Sequence, residues 1–264
     1  MRCRRRVKKS VTALKKYEHH FVFSKQKKYF CINNNKMSKK KRMTDMRESL
    51  SNCNFHVNEP YCNTSGNTGK KKKVKKNSIE VPEGTTEVVL HACCAPCSSA
   101  IVEWLLAHHI RPTIFYYNPN IYPLEEYTIR KEESKRHAES LGIRWIDADY
   151  EHQAWREAVC GMEGEPERGR RCQECFRLRL IATARMAAQL GIREFATTLA
   201  SSRWKSLEQI EKAGIAAQEA VPGTHFWAQN WRKDGLQERR NQLLKEYAFY
   251  NQQYCGCEFS MRKE

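Results

Sequence analysis

Seven of the chain's twelve cysteines fall in three tight groups, and thiols at such spacings do metal or redox chemistry. The first group is HACCAPC at 91–97, which carries Cys93, Cys94 and Cys97. The second is the C-x-x-C pair Cys172 and Cys175, preceded by Arg170 and Arg171. The third is Cys255 and Cys257, separated by Gly256. C-x-x-C spacing lets two thiolates meet one metal ion or one cluster. A helix start beside arginines is expected to lower the pKa of such thiols. Four cysteines drawn from two loops suit zinc or an iron–sulfur cluster, and spacing alone does not choose. The adjacency of Cys93 and Cys94 departs from the C-x₂₋₄-C pairs of compact zinc sites and sits more easily in a cluster, whose ligands spread over several irons. A thioredoxin-like pair and buried inert cysteines are the remaining readings. A Cys255–Cys257 bridge would close a very small ring that glycine alone accommodates. Strain makes such a disulfide labile and suits it to passing electrons. Two further ligands or two idle thiols are the alternatives there.

These groups need a scaffold, and the pattern from residue 86 onward predicts one. Glu87–His91 reads as a short buried strand. A helix over 98–109, a strand over 112–117, a charged helix over 123–141 and a strand over 143–146 follow. Then come helices near 151–159 and 176–190, a strand over 195–199, a helix beginning at 207 and a last helix over 235–250. Strands alternating with helices imply a Rossmann-like α/β fold, a parallel sheet with flanking helices. In such sheets ligands bind beyond the carboxyl ends of the strands. The loop after the first strand is therefore the place for a ligand, and it holds thiols where a nucleotide-binding protein would hold glycines. The sequence contains no G-x-G-x-x-G, no G-x-x-x-x-G-K-S/T and no S-G-G-x-D-S.

Charge divides the chain in two. The formal net charge is +17, but residues 1–80 carry 23 basic against 5 acidic side chains, and residues 81–264 carry 24 against 25. The first 80 residues read as a basic, low-complexity extension; their like-charge blocks predict disorder. Met37, Met43 and Met46 are internal candidates for initiation. Residues 81–264 form the expected domain, and activity is expected to survive removal of the extension. There is no apolar run near the ~20 residues that span a bilayer, and no apolar stretch follows the basic N-terminus as in a secretory signal. Clustered cysteines without such a signal point to the cytoplasm.

The motifs together resemble the QueH-type epoxyqueuosine reductases. The resemblance runs through HACCAPC at 91–97, YYNPNIYPLEEYTIR at 116–130, EPERGRRCQECFRLRL at 165–180, ATTLASSRWK at 196–205 and NQQYCGCEFS at 251–260. It implies an iron–sulfur oxidoreductase that converts epoxyqueuosine to queuosine at the wobble position of tRNA, the last step of queuosine biosynthesis. It implies a 4Fe–4S cluster on Cys93, Cys94, Cys172 and Cys175, and a redox-active pair at Cys255 and Cys257. It also implies that Cys97 sits where it could ligate an additional mononuclear iron. The partners it implies are tRNAs for tyrosine, histidine, asparagine and aspartate and an external electron donor, with no membrane. One departure stands out: the family's Ser-Pro before an aromatic and Lys is Ser202, Arg203, Trp204 and Lys205 here, which puts the local turn in doubt.

The chemistry also sets expectations for RNA. A base that reacts must leave its stack. Tyr116, Tyr117, Trp204, Phe226, Trp227 and Trp231 are candidates to stack on it, although most aromatics at such spacings are core. Asn118 and Asn120 could hydrogen-bond base or ribose, or cap their own loop. Arg130, Arg170, Arg171, Arg177, Arg203 and Lys205 are candidate phosphate contacts. Tyr254, His91 and Asp149 are candidate proton donors. The rival functions are a zinc-stabilised RNA-binding module and a pyrophosphatase-type tRNA enzyme. The absent S-G-G-x-D-S loop argues against the latter.

Overall fold

β-Branched and apolar runs dictate the centre of the molecule. In Glu87–His91 (β1) residues Val88, Val89 and Leu90 are fully buried, as a strand covered on both faces requires. The structure, a computed structural model, describes residues 78–261. The expected extension 1–80 lies almost wholly outside the described residues. β1 pairs with Arg111–Tyr116 (β2) and Glu194–Thr197 (β4); Trp145–Asp147 (β3) and His225–Phe226 (β5) close the two edges. All four pairings are parallel and the strand order is β3-β2-β1-β4-β5. The expected parallel α/β sheet is therefore present.

Helices Ala95–Ala107 (α1), Leu124–Ser140 (α2) and Leu236–Glu246 (α6) pack as one group. Arg170–Leu190 (α4) and Leu207–Ala220 (α5) pack as another. The short His152–Ala158 (α3) joins α4. No described helix is long and apolar enough to cross a membrane.

Three differences from the sequence reading bear on the site. α1 starts at Ala95 and not at 98, with Pro96 in its first turn, where a missing N–H costs nothing. α4 starts at Arg170 and not at 176, so Cys172 and Cys175 lie within the helix and not before it. β5 was not expected, because a two-residue strand has no period to read. Its Phe226 ring lies where a Cβ at Gly214 would approach to 2.1 Å, so α5 reaches β5 only because residue 214 has no side chain.

The strand order reverses between β1 and β4, and there the loops on either side diverge and leave a crevice. The β1–α1 loop carries Cys93 and Cys94, and the β4–α5 connection, a 3₁₀ turn over Thr198–Ser201 and a loop to Ser206, lies opposite.

Candidate active site

The reversal point opens into a cavity of about 810 Å³, and the three cysteine groups converge on it. Cys93, Cys97, Cys172, Cys175, Cys255 and Cys257 all line it. Cys94 lies behind them, fully buried, with its sulfur within 4.8 Å of those of Cys93 and Cys97. These three are the one set of metal-ligating side chains that close among the described residues. Cys172 and Cys175 face the same space from α4. The two halves are tied across the crevice: Thr198 Oγ1 accepts from the Cys93 backbone N–H at 3.2 Å and donates to its sulfur at 3.5 Å.

The C-terminal segment forms a further wall. Ile121 and Cys257 make an antiparallel bridge, and Tyr122 N–H donates to Gly256 O at 2.8 Å. Buried Arg130, paired with Glu126, donates to the carbonyls of Tyr254 and Cys255 at 3.2 and 3.3 Å. Gly256 sits at φ +100, and an added Cβ would lie 2.9 Å from Ile121 and 3.0 Å from the Arg130 guanidinium. Glycine is thus required between the two thiols by conformation and by space. Gln252, further up the segment, donates to Cys94 Sγ at 2.9 Å. Cys255 and Cys257 are both free thiols.

The thiols do not titrate alike. Hydrogen bonds from Cys94 and Cys97 hold Cys93 well below the usual thiol range. The same interaction raises Cys94 and pushes Cys97 up to about 11. Burial raises Cys172 and Cys175 and takes Cys257 to about 11. The expectation that a helix start and arginines would lower the C-x-x-C pair is therefore overturned: burial outweighs them.

Charge around the cavity is one-sided. Its lining includes seven cationic side chains and a single carboxylate, Glu167. α4 explains two of the cations. Arg171, Cys175 and Arg179 follow at intervals of four and share its buried face. Arg171 is bound locally: one guanidinium nitrogen donates to the carbonyls of Met162, Glu163 and Glu165, and the group packs over Phe259. Arg179 is different. It is 2% exposed, and its partners are His91, the Asn118 side-chain oxygen at 2.5 Å and the Cys175 sulfur at 3.9 Å, with no carboxylate among them. A buried cation needs a counter-charge, and among its partners in the described residues the Cys175 thiol is the group that can ionise to supply it. Arg179 was not among the candidates read from the sequence, although its four-residue offset from Cys175 could have revealed it. Thr198 and Gln252 carried no readable signal.

The other predicted residues separate by exposure. Asn118 is fully buried and ties the Ala92 carbonyl to Arg179. Asn120 is 1% exposed, faces the cavity and leaves its side-chain oxygen without a partner. Arg170 is exposed and pairs with Glu165, and Arg177 pairs with Glu174. Tyr116, Tyr117, Phe226, Trp227 and Trp231 are core residues; of the six stacking candidates only Trp204 is exposed, at 79%. Among the proton-donor candidates, Tyr254 lines the cavity and Asp149 does not. Burial holds the Tyr254 hydroxyl up at about 12, and that hydroxyl donates to the Tyr122 carbonyl. His91 is enclosed in the sheet between Thr197 and Tyr117, and burial lowers it to about 3, so it stays neutral. The loop in doubt for lack of proline is held by two arginines. Arg168 donates to the Arg203 and Trp204 carbonyls at 3.1 and 3.0 Å, and Arg232 donates to those of Ser202 and Lys205.

Comparison with known proteins identifies the relatives of this sequence. The family model described as epoxyqueuosine reductase QueH matches residues 88–263. A protein of Haemophilus influenzae named epoxyqueuosine reductase QueH is 44% identical over 201 residues, covering 73% of this chain and 82% of its own. One of the same name from Acinetobacter baylyi is 46% identical over 184 residues, covering 70% and 84%. One from Thermotoga maritima is 36% identical over 178 residues, covering 66% and 90%.

Proposed function

The chain belongs to the epoxyqueuosine reductase QueH family, and we infer that it is the oxidoreductase that reduces epoxyqueuosine to queuosine in tRNA. The observation that carries the reading is the convergence of seven thiols on one cavity whose lining is otherwise strongly cationic. The donor set fits a soft-metal centre, since thiolates select iron–sulfur clusters, zinc and Cu(I) over hard cations. The buried Arg179 and the partly buried Lys205 favour a group of net negative charge between them.

Cys93, Cys94, Cys172 and Cys175 would hold a 4Fe–4S cluster, and Cys97 could ligate an additional iron. When bound, the metal centre supplies one-electron transfers and an acceptor for the epoxide oxygen. The reaction consumes two electrons and two protons: both C–O bonds of the epoxide break, a C=C bond forms and the oxygen leaves as water. Oxidation of the Cys255/Cys257 dithiol to a disulfide releases two electrons and two protons, which balances that demand. An external donor then restores the thiols. Arg130 holds the carbonyls of Tyr254 and Cys255 in place, and Gly256 gives the pair the turn it needs. Lys205 faces the cavity; burial alone would lower its pKa, but the neighbouring cysteine sulfurs outweigh that where they are ionised and raise it, so Lys205 can protonate the departing oxygen. Asn120 offers its free side-chain oxygen to base or ribose.

The substrates in this reading are the queuosine-type tRNAs for tyrosine, histidine, asparagine and aspartate, met in the cytoplasm. Residues 81–264 carry the activity, and the basic extension is dispensable. The test is turnover of epoxyqueuosine-containing tRNA by anaerobically purified protein with a chemical reductant. Digestion and mass analysis should show loss of one oxygen from the modified nucleoside. Unchanged substrate with a fully loaded protein would refute the reading.

A further inference from the structure

Beside the thiol cavity lies a second, shallower one of about 470 Å³ that no step above uses. Arg168, Arg203, Lys205, Lys212 and Arg232 line it, and its only carboxylate, Glu208, is paired with Lys212 at 2.6 Å. Arg168 and Arg232 have backbone carbonyls as partners, and Arg203 has no ion pair among the described residues. Three guanidiniums thus crowd one wall without an acid to balance them. The crowding adds to burial in lowering the pKa of Arg232, and its buried Nε has no hydrogen-bond partner. Such a cluster is unfavourable unless an anion joins it.

The same arginines immobilise a loop that displays an aromatic ring. Four consecutive residues, Ser202 to Lys205, have their carbonyls held by Arg168 and Arg232. Trp204, in the middle, is 79% exposed and lines the mouth of the thiol cavity. A large apolar ring carried into solvent on a fixed backbone, between two cationic residues, has no core to serve. Rigid aromatics beside cations are what unpaired nucleotides bind, base on ring and phosphate on charge.

We propose that Trp204 and the Arg168–Arg203–Arg232 cavity form one nucleotide subsite. An unpaired base stacks on the Trp204 indole, and the adjoining phosphodiester sits among the three guanidiniums. This fixes the neighbour of the reacting nucleotide, so that the reacting base, out of its stack, turns into the thiol cavity. The subsite rests on the tRNA reading above but adds a contact which that reading does not require.

The test measures binding of an unmodified anticodon stem-loop RNA to the full chain by fluorescence anisotropy at several salt concentrations. Trp204→Ala should raise Kd roughly tenfold, and Trp204→Phe should restore most of it. Arg203→Gln should flatten the salt dependence of log Kd by about 0.7, the share of one phosphate on a single strand. Neither substitution should change metal content, melting temperature or the affinity for a fully paired RNA of the same length. If both variants bind the stem-loop as the wild type does, while the wild type binds and turns over normally, the subsite is wrong and the function stands. If the wild type itself shows no affinity for the stem-loop, the tRNA reading and the subsite fall together.

Discussion

The floor and the rim of the thiol cavity are built by opposite means. On the floor, Cys94, Cys175 and Cys257 are buried and Arg179 is enclosed with them, each in contact with side chains from another element. On the rim, Trp204 and Arg203 project into solvent, and what is fixed is their backbone. The floor therefore depends on side-chain chemistry that cannot be exchanged, and the rim on presentation. Within α4 the same contrast separates two arginines that are each 2% exposed: Arg171 has one nitrogen bonded to three backbone carbonyls and holds the loop before the helix, whereas Arg179 reaches His91, Asn118 and the Cys175 sulfur.

The largest effect should come from the floor. Cys93→Ser and Cys172→Ser are each expected to lose most of the bound metal and to reduce turnover by more than roughly a hundredfold. Metal retained at the wild-type level in both variants would break the contrast between floor and rim. Gly256→Ala should come next, because it forces a side chain into a left-handed turn against Ile121 and Arg130. Metal content should be kept while turnover with the external donor falls about tenfold or more, and alkylation of Cys255 and Cys257 should speed up.

Arg179→Gln should leave the cluster in place and move its reduction potential to more negative values, because a positive charge beside it is lost. Arg179→Lys should recover part of the shift. An unchanged potential in Arg179→Gln would place Arg179 with Arg171, as a structural residue.

Stability should respond away from both regions. Burial against the rings of Tyr247 and Phe249 holds His137 down at about 4, and Arg136 adds to the lowering. A lowered folded pKa means that the unfolded chain binds the proton more readily. Its stabilising contribution is therefore complete above about 6.5 and is lost as pH falls from there through 4, a total of about 3 kcal/mol. His137→Phe should flatten the fall in melting temperature across that window. The smallest change is expected at Arg170, whose pair with Glu165 lies in solvent: Arg170→Gln should leave melting temperature, metal and turnover unchanged.

The legible parts of the molecule were those with a period or a spacing. β1, β2 and the helices announce themselves by apolar runs and by turns such as Gly191, whose φ of +69 ends α4. The three cysteine groups are adjacent in sequence within each group, so their presence could be read. Their convergence was implied only by the family resemblance and not by spacing, because it depends on the strand reversal between β1 and β4. β5 was too short to carry a pattern, and its place is set by contact with Gly214. Asn118, Arg171 and five of the six candidate aromatics turned inward, since residue type alone does not say whether a polar or aromatic side chain serves the surface or the core. Trp204 was recognisable as aromatic beside cations, but its exposure follows from two arginines distant in sequence.

The central proposal is that Cys93, Cys94, Cys172 and Cys175, among the seven converging thiols, hold an iron–sulfur centre. Its most direct test is the visible spectrum of the anaerobically purified full chain, read with iron, sulfide and zinc analysis of the same sample. The account predicts a brown protein with broad visible absorption that bleaches on reduction, about four irons or slightly more and matching sulfide. A colourless protein with one zinc and no sulfide would contradict it.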